Sequence, residues 1–465
     1  MSDERWLRVV PPPDPDEIDL EDLDGLDSSV APGHHAAPDG PGDTVDRGDD
    51  EGAQRYDAFL RWLTTWTAAE DDTVAAFVGG SRVTGGFDRW SDLDVTLLTA
   101  EGAAVDVHEA LLTDVAAVHP VDHVWRLPDD THPDGRQSFV SFQQRPGSLS
   151  DDVLLVDVSV HDLSPARSRV DVRRHGVPQV LTGGGSLDLV AYGAADSPRP
   201  AQLLAALAQA RARLGTGEWL VHRAIRRGAR AEAADLHQRF ALASLARLLR
   251  IRHCPWRHDY GLRYLADDLG PDLARRVEDL LPVGDLEDQA ERCFAWQRSL
   301  LEGPDVVAWP EHDGRVLAGL DTGAAPQRVW EALTDGDALA TWWGRLEGRP
   351  AAGAAYTIWH GEQHPAHHRV RTWEPGRRLV LGWSFPDEPD SELVLEIDDD
   401  GRLTLEHTGV ADAAEYAAGW EQHLRFLHAH LAGSPLPWDM FWEDWEARYT
   451  AHRDLLTRQA RPPAQ

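Results

Sequence analysis

The sequence predicts a multidomain α+β protein, and three stretches carry that expectation. Residues 75–99 read as a strand, a Gly-Gly-Ser turn, a polar loop and a second strand. Residues 197–301 read as all helix, with apolar stripes at helical spacing. From 316 to 408 short strand segments follow one another, and a long amphipathic helix closes the series. At 465 residues the chain also exceeds what one hydrophobic core fills, so two or three domains are expected.

Composition excludes several functions. The formal net charge is −34, which opposes binding to a phosphate backbone, so nucleic acid is not an expected partner. The chain contains no lysine and no asparagine, which rules out Walker A loops, Schiff-base lysines and lysine-adenylate nucleophiles. Extreme GC-rich coding and a halophilic acidic surface both account for that bias. Cys254 and Cys293 are the only cysteines, too few for a disulfide framework or a Cys-rich zinc site, and a reducing cytoplasm fits. No window of 18 uncharged apolar residues occurs, so no membrane partner is expected. No basic segment precedes an apolar one at the N-terminus, so no signal peptide is expected.

Residues 1–53 form an acidic Pro/Gly-rich tail with the composition of disorder; Ile18, Leu20, Leu23 and Leu26 are its one apolar series. Tyr56, Phe59, Leu60, Leu63 and Trp66 then have helical spacing and lead into a strand at 74–78. Gly79 and Gly80 let the backbone approach a ligand, and Ser81 adds a hydroxyl for phosphate oxygens. In the next strand Asp92, Asp94 and Thr96 point one way while Leu93, Val95 and Leu97 point into a core. Two carboxylates two residues apart lie roughly 6–7 Å apart along a strand, close enough to share divalent cations. A helix at 107–118 and strands at 121–127 and 138–143 follow. In the strand at 154–160, Asp157 shares a face with Leu155 and Ser159. An acid in so apolar a strand needs a metal, an Arg or solvent.

Gly80-Ser81, the loop 82–91, Asp92-Leu93-Asp94 and the later Asp157 together resemble the nucleotidyltransferase superfamily of DNA polymerase beta and the aminoglycoside adenylyltransferases. The resemblance covers residues 54–195 and implies a small mixed-sheet domain. It implies that Asp92, Asp94 and Asp157 are catalytic and hold Mg²⁺ or Mn²⁺, with ATP as co-substrate. Gly79, Gly80, Ser81, Arg82 and Ser91 would bind the nucleotide. The acceptor would be a hydroxyl of a small molecule such as an aminoglycoside-like antibiotic, and an acidic cleft suits a polycationic acceptor.

In the helical block, 196–303, Leu203, Leu204, Leu207, Ala210 and Leu214 form a stripe closed by Gly215. Leu236, Phe240, Ala243 and Arg247 continue at similar spacing, and further helices are expected at 259–269, 272–281 and 286–301. By the same resemblance, this block shapes the acceptor cleft. His253-Cys254-Pro255-Trp256-Arg257-His258-Asp259 contains metal-ligand residue types but reads as a helix-breaking loop, because a fourth ligand is not apparent. Pro304, Pro310 and Gly314 mark 304–313 as a linker.

Beyond the linker, Ala325-Pro326-Gln327-Arg328-Val329-Trp330 opens a helix, Trp342-Trp343-Gly344 makes a turn, and several strands precede a helix with Trp420, Leu424, Leu427 and Leu431. These residues resemble the START-like (SRPBCC) superfamily, in the branch related to activators of the Hsp90 ATPase. The resemblance covers 314–434 and implies a helix-grip fold, a curved antiparallel sheet around a long C-terminal helix, enclosing an apolar cavity in which members bind unlike apolar ligands or none. Trp359, Trp373, Trp383 and His407 are the candidate cavity residues. The clusters His360, His364, His367, His368 and His423, His428, His430 read as solvated faces. The segment 435–465 carries Trp438, Trp442, Trp445 and Tyr449 at helical spacing, a stripe expected to pack on the rest of the chain.

The leading expectation is thus a Mg²⁺-dependent transfer of NMP, AMP above all, from a nucleoside triphosphate to a small-molecule hydroxyl. The alternatives are an apolar-ligand-binding START-like protein with a regulatory nucleotidyltransferase domain, or a protein- or tRNA-modifying enzyme of toxin–antitoxin type.

Overall fold

Alternation of apolar and polar residues builds the first sheet. The computed structural model describes residues 54–88, 90–143, 153–360 and 364–459, and the acidic tail 1–53 lies outside them. Helix α1 (Asp57–Ala69) leads into β1 (Thr73–Val78), β2 (Leu93–Thr99), α2 (Ala104–Val118), β3 (Val121–Arg126), β4 (Gly135–Gln143) and β5 (Val153–Asp162). Three short strands follow, β6 (Arg169–Asp171), β7 (Gln179–Thr182) and β8 (Asp188–Val190), which the sequence pattern does not announce. The six-stranded sheet has the order β3-β4-β5-β2-β1-β7, and it is mixed because β2 and β5 run parallel. Leu93, Val95 and Leu97 of β2 and Val156, Val158 and Val160 of β5 are buried against Leu60 and Leu63 of α1 and Val107 and Leu111 of α2. Asp94 and Thr96, with Asp157 and Ser159, are left on the opposite, less buried face.

The helical block differs from the sequence pattern in two places. Helix α3 (Pro200–Arg226) runs straight through Gly215 instead of ending there. Its buried stripe continues at Gly217, Val221 and Ala224, and Gly217 lies so close under Phe240 that an added Cβ would stand 3.0 Å from that ring. Tertiary packing overrides the cost of glycine in a helix, about 1 kcal/mol. Next come α4 (Arg230–Leu236), a π-helical turn (His237–Leu242) and α5 (Ala243–His253). The helix expected at 259–269 shrinks to α6 (Leu265–Leu269), followed by α7 (Pro271–Glu278) and α8 (Leu286–Leu300). The buried Arg250 explains the loss: its guanidinium donates to the carbonyls of Gly261 and Arg263 and pairs with Asp268, holding 257–264 as a loop. These bonds give the loop carbonyls the partners that a helix would otherwise supply.

The expected linker is a strand. Segment β9 (Val306–Glu311) pairs residue for residue with β10 (Arg315–Leu320). The chain continues through α9 (Pro326–Thr334), α10 (Gly336–Trp342), β11 (Arg345–Gly348), β12 (Ala355–His360), β13 (His364–Glu374), β14 (Arg378–Ser384), β15 (Ser391–Ile397), β16 (Leu403–Thr408), α11 (Ala413–Leu431) and α12 (Trp445–Arg458). The eight-stranded sheet, antiparallel throughout, has the order β11-β12-β13-β14-β15-β16-β10-β9. Pro310 hides β9 from a sequence reader, yet an edge strand tolerates proline. Trp309 and Val307 of β9 join the helical-block core together with Leu317 and Leu455. At the same strand's end Glu311 pairs with the buried Arg173, which Asp171 also holds. A fragment beginning at Gly314 would therefore cut through shared structure. Among the described residues, no helix is long and apolar enough to cross a membrane.

Candidate functional sites

The Gly-Gly turn lies on the first acid of the sheet. Gly80 has φ +61° and opens the one-turn helix Ser81–Thr84. A Cβ there would stand 1.6 Å from Asp94 Oδ2, so only glycine fits, whereas Gly79 has open space around it. The Gly79 N–H donates to the Asp94 carbonyl at 2.9 Å. The Ser81 hydroxyl is buried with no hydrogen-bond partner among the described residues. Asp94 and Asp157 are direct partners across the parallel β2–β5 ladder.

Electrostatics mark Asp94 most strongly. Burial, then repulsion from Asp92 and Asp157, pushes its carboxyl up to about 6. Burial also raises Asp157, against which Gln137 works by donating to both carboxylate oxygens at 2.7 and 2.9 Å. Repulsion between carboxylates is what a bound cation would relieve, so Asp92 and Asp94 fit a divalent metal chemically. A three-acid metal site is not preassembled, however: no group of three or more His, Cys, Asp or Glu among the described residues is arranged to hold one. Gln137 occupies the Asp157 oxygens.

Two expected nucleotide contacts lie elsewhere. Arg82 donates to Gln179 at 3.1 Å, approaches Asp57 and lies over Phe87, so its head stays with α1 and the sheet edge. The Ser91 hydroxyl donates to Asp88 and accepts the Asp88 N–H, both at 3.0 Å, which closes the loop before β2. A cleft of about 880 Å³ does open over the Asp94 face, and the helical block forms its other wall through Arg257, Arg263 and Tyr264. Sequence reasoning missed the remaining walls. Arg167 forks onto Asp134 with two bonds of 2.7 Å and depresses that carboxyl to about 2. Arg174 reaches Asp196 at 3.2 Å and Asp259 at 3.1 Å. His132 and His161 stack edge to face, 5.1 Å between centroids. These residues come from five separate segments, and no spacing rule links them.

The second cavity, about 760 Å³, lies in the C-terminal half between the eight-stranded sheet and α11. Trp359 and Trp383 line it, joined by Phe385, Trp420 and Phe441. Trp373 does not line it. It sits at the far end of β13 and packs edge to face on Trp330, 5.0 Å away. His407 stands behind the wall, fully buried, accepting from Trp420 Nε1 at 3.1 Å and hydrogen-bonded to Ser391 at 2.9 Å.

The solvated reading fails for three histidines. His368 and His423 are buried, and His360 is enclosed by His423, Trp383 and Phe385. Alternation on β13 turns Ala366, His368 and Val370 inward, while His364 and His367 are exposed. Burial lowers His368 and His407 to about 3 and His423 to about 4, and holds His360 well below the usual range. All four are neutral near pH 7. Trp438 and Trp442 stand at the cavity, 39% and 65% exposed, while Phe441 and Trp445 of the same segment pack onto the core of the C-terminal half.

Residues 323–432 match the family model described as Activator of Hsp90 ATPase homolog 1-like protein, which supports a START-like domain in this part of the chain. The crystal structure of CalU16 from Micromonospora echinospora is 26% identical, covering 33% of this chain and 96% of that chain, with a TM-score of 0.27. DynU16, from the dynemicin biosynthetic locus, is 26% identical over 26% of this chain and 49% of that chain, with a TM-score of 0.25. A Bordetella parapertussis protein encoded by gene BPP1335 is 26% identical over 32% and 87%, with a TM-score of 0.25. No curated protein sequence matches the chain.

Proposed function

We propose that this chain binds an apolar small molecule in its START-like half and that its N-terminal half carries a nucleotide-dependent activity linked to that ligand. The observation that carries the first part is the cavity of about 760 Å³ walled by Trp359, Trp383, Phe385, Trp420 and Phe441. That volume suits a drug-sized ligand. The four buried histidines around it are neutral near pH 7 and add no charge. Nile red, a neutral apolar dye, should brighten on binding the full chain. Gly419→Phe, which adds a ring where Gly419 lines the cavity, should abolish that response. Equal brightening by wild type and Gly419→Phe would refute occupancy of this cavity.

A second reading, nucleotidyl transfer, is favoured by Gly80 seated on Asp94 and by the Asp94–Asp157 register. Asp92 and Asp94 would hold a divalent cation, which would neutralise triphosphate charge. The Gly79-Gly80 backbone would admit the phosphates close to the sheet. Gln137, by gripping Asp157, would orient that carboxylate to take the proton of an acceptor hydroxyl. Arg263 and Tyr264 would face the acceptor from the helical block. Pyrophosphate release from Mg²⁺·ATP in the presence of candidate hydroxyl acceptors tests this. Release from wild type but not from Asp92→Ala supports it, and equal rates from both would refute it.

A further inference from the structure

The START-like cavity is not uniformly apolar. Glu388, in the loop between β14 and β15, and Glu415, in the first turn of α11, both line it. Neither forms a salt bridge with an Arg or His among the described residues. The nearby Asp412 has other work: it caps α11 by accepting the Ala414 and Glu415 N–H groups, and it accepts the Tyr449 hydroxyl at 2.9 Å. Tyr416 donates to Glu388 at 2.7 Å, which leaves the rest of that carboxylate open. Burial, Asp412 and Glu388 together raise the Glu415 carboxyl, so the two acids feel each other across the mouth. Arg345 is the one arginine of the lining, and its guanidinium lies over Trp359, 5.2 Å from the ring.

We propose that this cavity selects a cationic ligand: a protonated amine on a flat apolar body. The body lies among Trp383, Trp420 and Phe385, and the ammonium sits at Glu388 and Glu415. This deepens, and rests on, the apolar-ligand reading of the same cavity. A neutral occupant would cover two carboxylates and supply no counter-charge, which is costly. An anion would be repelled. An ammonium relieves the repulsion between the acids and also gains from the negative faces of indole rings.

Three probes of one size separate the possibilities: 2-naphthylmethylamine, 2-naphthylmethanol and 2-naphthoic acid. Each is titrated calorimetrically into the full chain at pH 7 and low salt. The amine should bind about tenfold more tightly than the alcohol, and the acid most weakly. The double variant Glu388→Gln/Glu415→Gln, which keeps an acceptor for Tyr416, should bring amine and alcohol to equal affinity. Amine and alcohol binding equally to wild type, or an amine preference that survives the double variant, would overturn the charge selection and leave the apolar reading standing. Binding of none of the three would overturn both.

Discussion

Asp94→Asn should stabilise the protein at pH 8 and do little at pH 4. The carboxyl of Asp94 has a pKa of about 6 in the fold, because of burial and then Asp92 and Asp157. In the unfolded chain it returns to about 3.9. A folded-state pKa above the unfolded one means that the folded state binds more protons between these values. Stability is therefore full below about pH 4 and declines as pH rises through 6. Two pH units correspond to about 3 kcal/mol, complete by pH 8. For ~400 folded residues that converts to a Tm rise of about 3–4 °C for the Asn variant at pH 8. Far-UV circular dichroism melts of both proteins at pH 4, 6 and 8 measure it. A lower Tm for Asp94→Asn at pH 8 would refute the reasoning, since it would mean that attraction to Arg263 outweighs burial and repulsion.

Gly80→Ala should abolish stabilisation by Mg²⁺·ATP in a thermal-shift assay, because its Cβ collides with Asp94, while Gly79→Ala, with open space, should retain it; equal behaviour of the two would count against a ligand at this turn. Glu311→Gln removes the charge that pairs with the fully buried Arg173, and a loss of about 3–5 kcal/mol in urea unfolding is expected. A loss below 1 kcal/mol would show that Asp171 alone satisfies Arg173. The START-like half should be acid-labile: His368, His407 and His423 have folded pKa values of about 3, 3 and 4, below the unfolded 6.5, so stability falls as pH drops from 6.5 toward 4. Near-UV circular dichroism of its many tryptophans would report this, and a Tm constant from pH 7 to 4 would contradict it.

Period-2 alternation made the acid-bearing face readable, because Leu93, Val95 and Leu97 had to face a core and thereby fixed where Asp94 points. Helical spacing likewise located α2 and α8 to within a few residues, and the stripe from Trp420 to Leu431 marked the C-terminal part of α11. What stayed hidden depended on contacts far apart in sequence. Nothing local tells that Arg250 would bind the carbonyls of Gly261 and Arg263, or that Gln137 would face Asp157 across β4 and β5. Proline and glycine at 304–314 looked like a linker because an edge strand shares that composition. The inward His368 of β13 was misread because four histidines across His360–His368 suggest water more readily than alternation does.

Two consecutive arginines look to different halves of the molecule. Arg173 is sealed between Asp171 and Glu311, with Trp309 and Ser197 donating to the same acids, whereas Arg174 faces the N-terminal cleft beside Asp196 and Asp259. The START-like module therefore cannot be traded freely between chains. Any donor of a new N-terminal half must bring a cation to the position of Arg173, or Glu311 must change with it. A junction at the family boundary, residue 323, would strip β9 and β10 from the eight-stranded sheet, and a junction placed before β9 to keep them would leave Glu311 buried without its counter-ion.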